Sequence, residues 1–112
     1  MGRLASSVLV KALIRTVEGQ GGFGAVIAKG DSTAGAIAVI LAERGRRRRF
    51  LERTLGMDGT YGWRDVSGDS DREEAAFDAL VDRRRRTDPD LWVVELDVAS
   101  AERFADEMIA FG

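Results

Sequence analysis

Residues 36–55 read AIAVILAERGRRRRFLERTL, and this stretch decides the fold prediction. Residues 36–43 are apolar almost throughout, which is typical of a strand that is buried on both faces. Arg44 and Gly45 predict a tight turn, and residues 47–55 predict a strand that returns antiparallel to the first. The stretch therefore predicts a β-hairpin at the centre of a sheet.

The segment before this hairpin predicts a helix and a further strand. Ser6 or Ser7 is placed to cap the helix, and the glycine-rich residues 19–22 end it. Residues 23–29 then alternate as a strand does. Its two sides carry Phe23, Ala25 and Ile27 on one and Gly24, Val26 and Ala28 on the other.

The segment after the hairpin predicts a weakly patterned short strand over residues 60–66, then a helix, a strand and a helix. Ser70 and Glu73 form a capping box that opens a helix running to about Arg86. Residues 91–98 alternate as a strand with Trp92 facing inward. Ser100 is placed to cap the last helix.

These elements give the order α-β-β-β-(β)-α-β-α, with residues 60–66 as the optional strand. Because consecutive strands that are joined by short turns pair antiparallel, we expect a mostly antiparallel sheet of four to five strands. Three helices then cover one face of the sheet, which makes the fold class α+β. With no long linker and no internal repeat, residues 1–112 are predicted to form one domain.

The composition excludes several enzyme classes. The chain contains no cysteine and no histidine, so it has neither a thiol nucleophile nor the usual general base near pH 7. Ser-His-Asp triads and zinc sites of cysteine and histidine are excluded for the same reason. The residue types present leave carboxylate, arginine, lysine and hydroxyl chemistry, and no cofactor is predicted.

The charge pattern and the length of the apolar runs indicate a cytoplasmic protein with no membrane partner. The longest apolar run, residues 36–42, is far shorter than the ~20 residues that a membrane-spanning helix needs. A formal net charge of -2 argues against a protein that coats DNA. The cations are fifteen arginines and two lysines, and eight of the arginines lie in two tetrads, residues 46–49 and 83–86.

Two glycine motifs imitate nucleotide-binding loops but have the wrong surroundings. Residues 19–24 match G-x-G-x-x-G, but a helix ends there and a strand follows, so the negative end of the helix dipole is the near one. Residues 30–35 match the first part of a P-loop, but Ala36 and Ile37 replace the lysine and the hydroxyl residue. Both stretches are therefore predicted to be turns.

The region from Asp88 to Asp97 carries the candidate metal ligands. Glu95 and Asp97 lie two residues apart on one side of a strand, where a carboxylate pair can hold Mg²⁺ or share a proton. The alternative is that both belong to the solvated side of a half-buried strand, with Asp88 and Asp90 stabilising the turn around Pro89.

The arginine tetrads carry the candidate contacts to an anion or to nucleic acid, which are Arg46, Arg48, Arg83 and Arg86. On a strand, Arg46 and Arg48 point to one side and Arg47 and Arg49 to the other. The alternatives are structural: arginines on an edge strand discourage aggregation, and arginines at the end of a helix complement its dipole. Tyr61 and Trp63 are candidate interface residues if their side chains are exposed.

Four stretches together resemble a known family of small alphaproteobacterial proteins. They are residues 11–15, 22–31, 34–37 and above all 88–95, which read DPDLWVVE. The family is domain of unknown function 1491, and the resemblance covers nearly the whole chain in the same order, although residues 46–68 depart from it more freely. The resemblance implies a bacterial cytoplasmic protein and carries no activity, cofactor or site residue.

Three functions remain from the sequence. The leading hypothesis is a non-catalytic module for self-association or for binding a protein partner, because the chain lacks histidine and cysteine and both glycine motifs fail. The second is a binder of RNA or another anionic ligand through the arginines. The third is an enzyme that uses carboxylates and a divalent metal in the region from Asp88 to Asp97.

Overall fold

The structure is a computed structural model, and it describes residues 5–68 and 73–111. Its elements follow the predicted order, and residues 60–66 do contain a strand. The helices are α1 (Ser6–Gly19), α2 (Glu74–Thr87) and α3 (Ala101–Phe111), and the strands are β1 (Phe23–Ala28), β2 (Ile37–Glu43), β3 (Arg46–Leu55), β4 (Tyr61–Asp65) and β5 (Trp92–Asp97).

The five strands form one mixed sheet in the order β1-β5-β2-β3-β4. β5 is inserted between β1 and β2, antiparallel to β1 and parallel to β2. The remaining pairs, β2–β3 and β3–β4, are antiparallel hairpins. The α+β class and the mostly antiparallel pairing are thus confirmed. The expectation that consecutive strands are neighbours is wrong at β1 and β2, because β5 separates them.

Helices cover both faces of the sheet, so the expectation that they share one face is wrong. On one face α1 and α3 pack over a core that includes Val39, Leu51, Trp92 and Val94. On the other face Phe77 and Leu80 of α2 pack on a smaller cluster of sheet residues. This second layer forms because β2 is apolar on both sides and must be covered twice.

The starts of α1 and α2 differ from the predicted caps. Ala5 occupies the N-cap position of α1, and the buried Ser6 hydroxyl donates instead to the Gly35 carbonyl at 2.6 Å. Ser100 directly precedes α3, and the first amide of that helix, that of Ala101, donates to the Glu43 carboxylate at 2.9 Å. Glu73 is the N-cap residue of α2, and Ser70 of the predicted capping box lies outside the described residues.

The predicted turns around both glycine motifs are confirmed. α1 ends at Gly19 and β1 begins at Phe23, so a helix C-terminus adjoins the first motif. In the second motif the Trp92 indole N–H donates to the Asp31 carbonyl at 2.7 Å, and β2 follows the turn. None of the described helices has the length and the hydropathy that a membrane-spanning helix requires.

Candidate interaction surface

Arg47 joins α2 to the sheet through three carboxylates. Its Nε lies 3.0 Å from the Glu95 carboxylate and its Nη1 lies 2.5 Å from the Asp78 carboxylate. Its backbone N–H donates to Glu74 at 2.8 Å. Burial acts to lower the pKa of Arg47, but the hydrogen bonds to Asp78 and Glu95 outweigh it and raise the pKa above its ordinary value. The guanidinium is therefore a fixed positive charge that holds two layers together.

A β-bulge changes the predicted directions of the first arginine tetrad. Leu41 pairs with Arg49 and Ala42 pairs with Arg47, so Arg48 is an extra residue on β3. As a result, Arg48 and Arg49 both reach Glu102 of α3, at 3.5 Å and 2.5 Å, while Arg47 points to the other face. β3 also lies inside the sheet, so the prediction that these arginines protect an edge strand is wrong.

The second arginine tetrad is partly used in packing. Arg84 pairs with Glu52 of β3 at 3.1 Å. The Arg85 guanidinium donates to the carbonyls of Lys29, Pro89 and Leu91, at 3.2, 2.8 and 2.8 Å. Arg83 and Arg86 are exposed on α2, and Arg46 is exposed at the start of β3. Of the four candidate anion contacts, Arg48 therefore has an ion-pair partner and the other three face solvent.

The candidate metal ligands serve different structural contacts. Glu95 is bound to Arg47, as described above. The Asp97 carboxylate accepts from the backbone N–H groups of Arg44 and Gly45, at 3.1 and 2.8 Å, and so stabilises the β2–β3 turn. Asp88 accepts from the Asp90 amide in the turn around Pro89. Among the residues that the structure describes, no group of three or more acidic side chains is arranged to hold a metal ion.

The two candidate interface aromatics are not on an open surface. Trp63 is 7% exposed and packs into the larger core cluster, so it is a core residue. Tyr61 is half-buried, with the Arg53 guanidinium 4.1 Å above its ring. The patterning around residues 60–66 is too weak to give this result, which depends on α3 packing against β4.

A pocket with a volume of about 420 Å³ lies at the start of α1. Its wall is formed by Ser6, the turn of residues 33–37, Arg53 and Tyr61. The α1 amides nearby are already bonded, since Ser6 and Ser7 donate to the carbonyls of Thr33 and Ser32. The pocket therefore offers one cation and an aromatic ring, and no free helix terminus.

Strand β1 forms one edge of the sheet and exposes apolar side chains. Phe23 is 62% exposed, and Val26 and Ile27 are 45% and 44% exposed. No residue of β1 is charged, whereas β4 at the opposite edge carries Arg64 and Asp65. Native edge strands are usually protected by charges, prolines, bulges or a covering segment. We call the outer side of β1, residues 23–27, the β1 edge.

The backbone of the β1 edge has hydrogen-bonding groups that no described strand uses. The backbone N–H groups of Trp92 and of Val98, which directly follows β5, donate to the carbonyls of Ala36 and Ala42, so the even-numbered residues of β5 face β2. The odd-numbered residues Glu95 and Asp97 therefore face β1, opposite Ala25 and Phe23. Because strand residues alternate, the N–H and C=O groups of Gly24 and Val26 point to the open side of β1, away from β5.

A bulge interrupts the predicted alternation of β1. Val26 pairs with Val94 and Ala28 pairs with Val93, which leaves Ile27 as an extra residue. Ala28 consequently lies on the same side of β1 as Phe23 and Ala25, where it packs against the core cluster under α2. The predicted alternation places it on the opposite side. The sequence predicts the strand but not its place at the edge. The one signal for that place was the uncharged run FGAVIA, which lacks the charge expected on a solvent-facing side.

Comparisons with known proteins identify relatives of the chain. The family model described as "Protein of unknown function (DUF1491)" matches residues 4–106. A crystal structure of a DUF1491 family protein from Caulobacter crescentus is similar, with a TM-score of 0.81 and 34% identity over 91% of this chain and 94% of that one. No curated protein matches the chain.

Two structures determined in solution are similar as well. An NMR structure of a DUF1491 family protein from Caulobacter crescentus has a TM-score of 0.77 and 35% identity, covering 89% of this chain and 91% of that one. Protein Atu0922 from A. tumefaciens has a TM-score of 0.74 and 35% identity, covering 88% and 89%. These matches confirm the family resemblance that residues 88–95 carried most clearly.

Proposed function

The chain belongs to the DUF1491 family of proteins of unknown function, and we propose that it is a non-catalytic protein-interaction module of the bacterial cytoplasm whose contact surface is the β1 edge. The observation that carries the proposal is the combination of unused backbone groups at Gly24 and Val26 with exposed apolar side chains on the same strand. An extended segment of a partner can add to such an edge as a further strand.

The difference between the two edges of the sheet supports this choice. β4 carries Arg64 and Asp65, so it is protected by charge. A helix packs against each edge strand, α3 against β4 and α1 against β1, but β1 carries no charged residue, and its bulge lies at one end only. An apolar, uncharged edge is a liability for a protein that remains alone, and a contact surface explains why it is kept.

The contacts of the other candidate residues favour structural roles. Arg47, Arg48, Arg49, Arg84 and Arg85 each contact a carboxylate or a carbonyl, which reduces the positive field available to RNA. Glu95 and Asp97 are bound to an arginine and to a turn, so neither is held ready for a metal or a proton. No specific observation favours a second function.

The proposal is tested by photo-crosslinking inside living bacteria. A photo-reactive benzoylphenylalanine at Ala25 should give covalent adducts of defined mass, and the same group at the exposed Arg64 of β4 should give none. Adding Phe23→Lys to the Ala25 probe should abolish the adducts, because a charge on the β1 edge opposes its burial against a partner. Equal labelling at both edges, or adducts that survive Phe23→Lys, would contradict the proposal.

A further inference from the structure

We infer that the partner of the β1 edge is a second copy of this chain, paired antiparallel through β1 about a twofold axis at Ala25. This inference rests on the proposed function, because it uses the same surface and names its occupant. A twofold contact uses the same patch on both copies, so the patch must complement itself. The backbone, side chains and charges of β1 each meet that requirement.

The backbone groups fit one register best. With the axis at Ala25, Gly24 lies opposite Val26 of the second copy, and both residues direct their N–H and C=O groups outward. Two reciprocal pairs of N–H···O bonds form, and Ala25 meets its own copy as a non-hydrogen-bonded pair. An axis at Gly24 would recruit Gly22, whose N–H already donates to Val17 at 3.0 Å. An axis at Val26 would pair Gly24 with Ala28, whose backbone groups are directed at Val93 of β5 because of the bulge.

The side chains fit the same register. In a non-hydrogen-bonded pair of antiparallel strands the two Cα atoms lie ~4.5 Å apart, and a small side chain such as that of Ala25 allows this approach. Phe23 lies opposite position 27 of the second copy, so the most exposed aromatic of the strand approaches an exposed isoleucine. No charged side chain lies within the paired segment, so pairing buries no uncompensated charge.

The charges at the two ends of the strand are complementary between copies. The register brings Lys29 to Gly21 of the second copy, and the Gly21 N–H donates to the Glu18 carbonyl at 3.1 Å. α1 has no basic residue in its last turn, so a cation from a second copy would complement the negative C-terminal end of the helix and the Glu18 carboxylate. Within one copy β1 separates Lys29 from Phe23, the first residue of the strand, by ~20 Å. The second copy therefore brings Lys29 to an end of the strand that the same residue does not reach within its own copy.

The expected interface is small, because one strand pair and its end contacts bury less than the ~800 Å² per partner of a standard interface. We therefore expect a weak dimer in the micromolar to millimolar range. Sedimentation equilibrium of the wild-type protein over that range should fit a monomer–dimer equilibrium. A single species of monomer mass at every concentration would overturn the inference.

Disulfide trapping tests the position of the axis, since the chain contains no cysteine. Ala25→Cys places two sulfurs at a Cα separation that a disulfide tolerates, so mild oxidation should yield a covalent dimer at least tenfold faster than Met57→Cys. Met57 is a fully exposed control in the β3–β4 turn. Equal rates for the two variants would overturn the proposed register.

A charge exchange tests whether the partner is a second copy. Lys29→Glu and Glu18→Lys alone should each weaken the dimer about 2- to 30-fold, since two exposed ion pairs are lost. The double variant should restore wild-type dimerisation, which only contact between Lys29 of one copy and Glu18 of the other predicts. If the double variant dimerises more weakly than the wild type by the sum of the two single effects, this contact is overturned.

The outcomes separate the inference from the proposed function on which it rests. In-cell adducts at Ala25 with the mass of two chains support both. Adducts of another defined mass, together with a wild-type protein that remains monomeric, overturn the second-copy inference and leave the β1 edge as a contact surface. The absence of any Phe23-dependent adduct overturns both.

Discussion

Arg47 shows how much of this fold depends on single polar residues that meet far from their places in the sequence. It lies 48 residues before Glu95 and 31 before Asp78, yet it binds both. The sequence identified Arg47 only as one member of a tetrad, because nothing local distinguishes it from Arg46. The bulge at Arg48 and the position of α2 decide its role, and both depend on the tertiary structure.

Replacing Arg47 tests this role. Arg47→Met should lower the free energy of unfolding by about 1–3 kcal/mol, because the half-buried Glu95 would lose its charged hydrogen-bond donor. The matched control, Arg46→Met, removes an exposed neighbour with no ionic partner among the described residues and should change stability by less than about 0.5 kcal/mol. Urea denaturation of both variants measures the difference, and equal losses would contradict the assigned role.

A second prediction concerns the pKa of Asp58 in the β3–β4 turn. The Thr60 backbone N–H and then its hydroxyl donate to the Asp58 carboxylate and hold its pKa below the ordinary value for an aspartate. The folded state therefore gains stability above the ordinary pKa and loses it as pH falls through the lowered one. Thr60→Val should move the pKa of Asp58 part of the way back, as followed by NMR titration. An unchanged pKa would show that the hydroxyl contributes nothing.

At the scale of elements, the turn between α1 and β1 shows why a glycine motif need not bind a nucleotide. A Cβ at Gly22 would lie 2.2 Å from the Asp97 carbonyl, so glycine is needed there for a strand to approach closely. A Cβ at Gly19 would meet nothing within 4 Å. The same motif thus contains one glycine that the packing requires and one that it does not.

The two glycines predict opposite effects of alanine. Gly22→Ala should lower the free energy of unfolding by more than about 1 kcal/mol, because the new methyl group displaces β5 or β1. Gly19→Ala should be neutral or stabilising by up to about 1 kcal/mol, since it restricts the unfolded chain at an unobstructed helical position. Thermal melts of both variants decide this. A neutral Gly22→Ala would contradict the close approach of β1 and β5.

Over the whole molecule, local patterns in the sequence were enough to predict the elements but not their arrangement. The helices and strands follow from periodicity, glycine placement or turn residues, because those signals act within a few residues, and only the strand within residues 60–66 was weakly patterned. The insertion of β5 between β1 and β2 depends on the pairing of residues 37 and 92, which no local signal encodes. That insertion places β1 at an edge and divides the helices between two faces.

The candidate site follows from the same insertion. If β1 and β2 were neighbours, β1 would not have this free side, and Phe23 would not lie at the end of the sheet. The sequence therefore favoured an interaction module by excluding other chemistry, but it placed the contact at Tyr61 and Trp63. These residues belong to β4, the edge strand that carries charged residues. The central claim concerns the opposite edge, where β1 carries none.

Amide hydrogen exchange measured over a range of protein concentrations tests the central claim most directly. The account predicts that Gly24 and Val26 exchange fast at low concentration and slow markedly as concentration rises, while the amides of Phe23 and Ala25 stay protected by β5 and those of β4 do not change. Exchange at Gly24 and Val26 that is independent of concentration, or new protection at β4, would contradict self-association through the β1 edge.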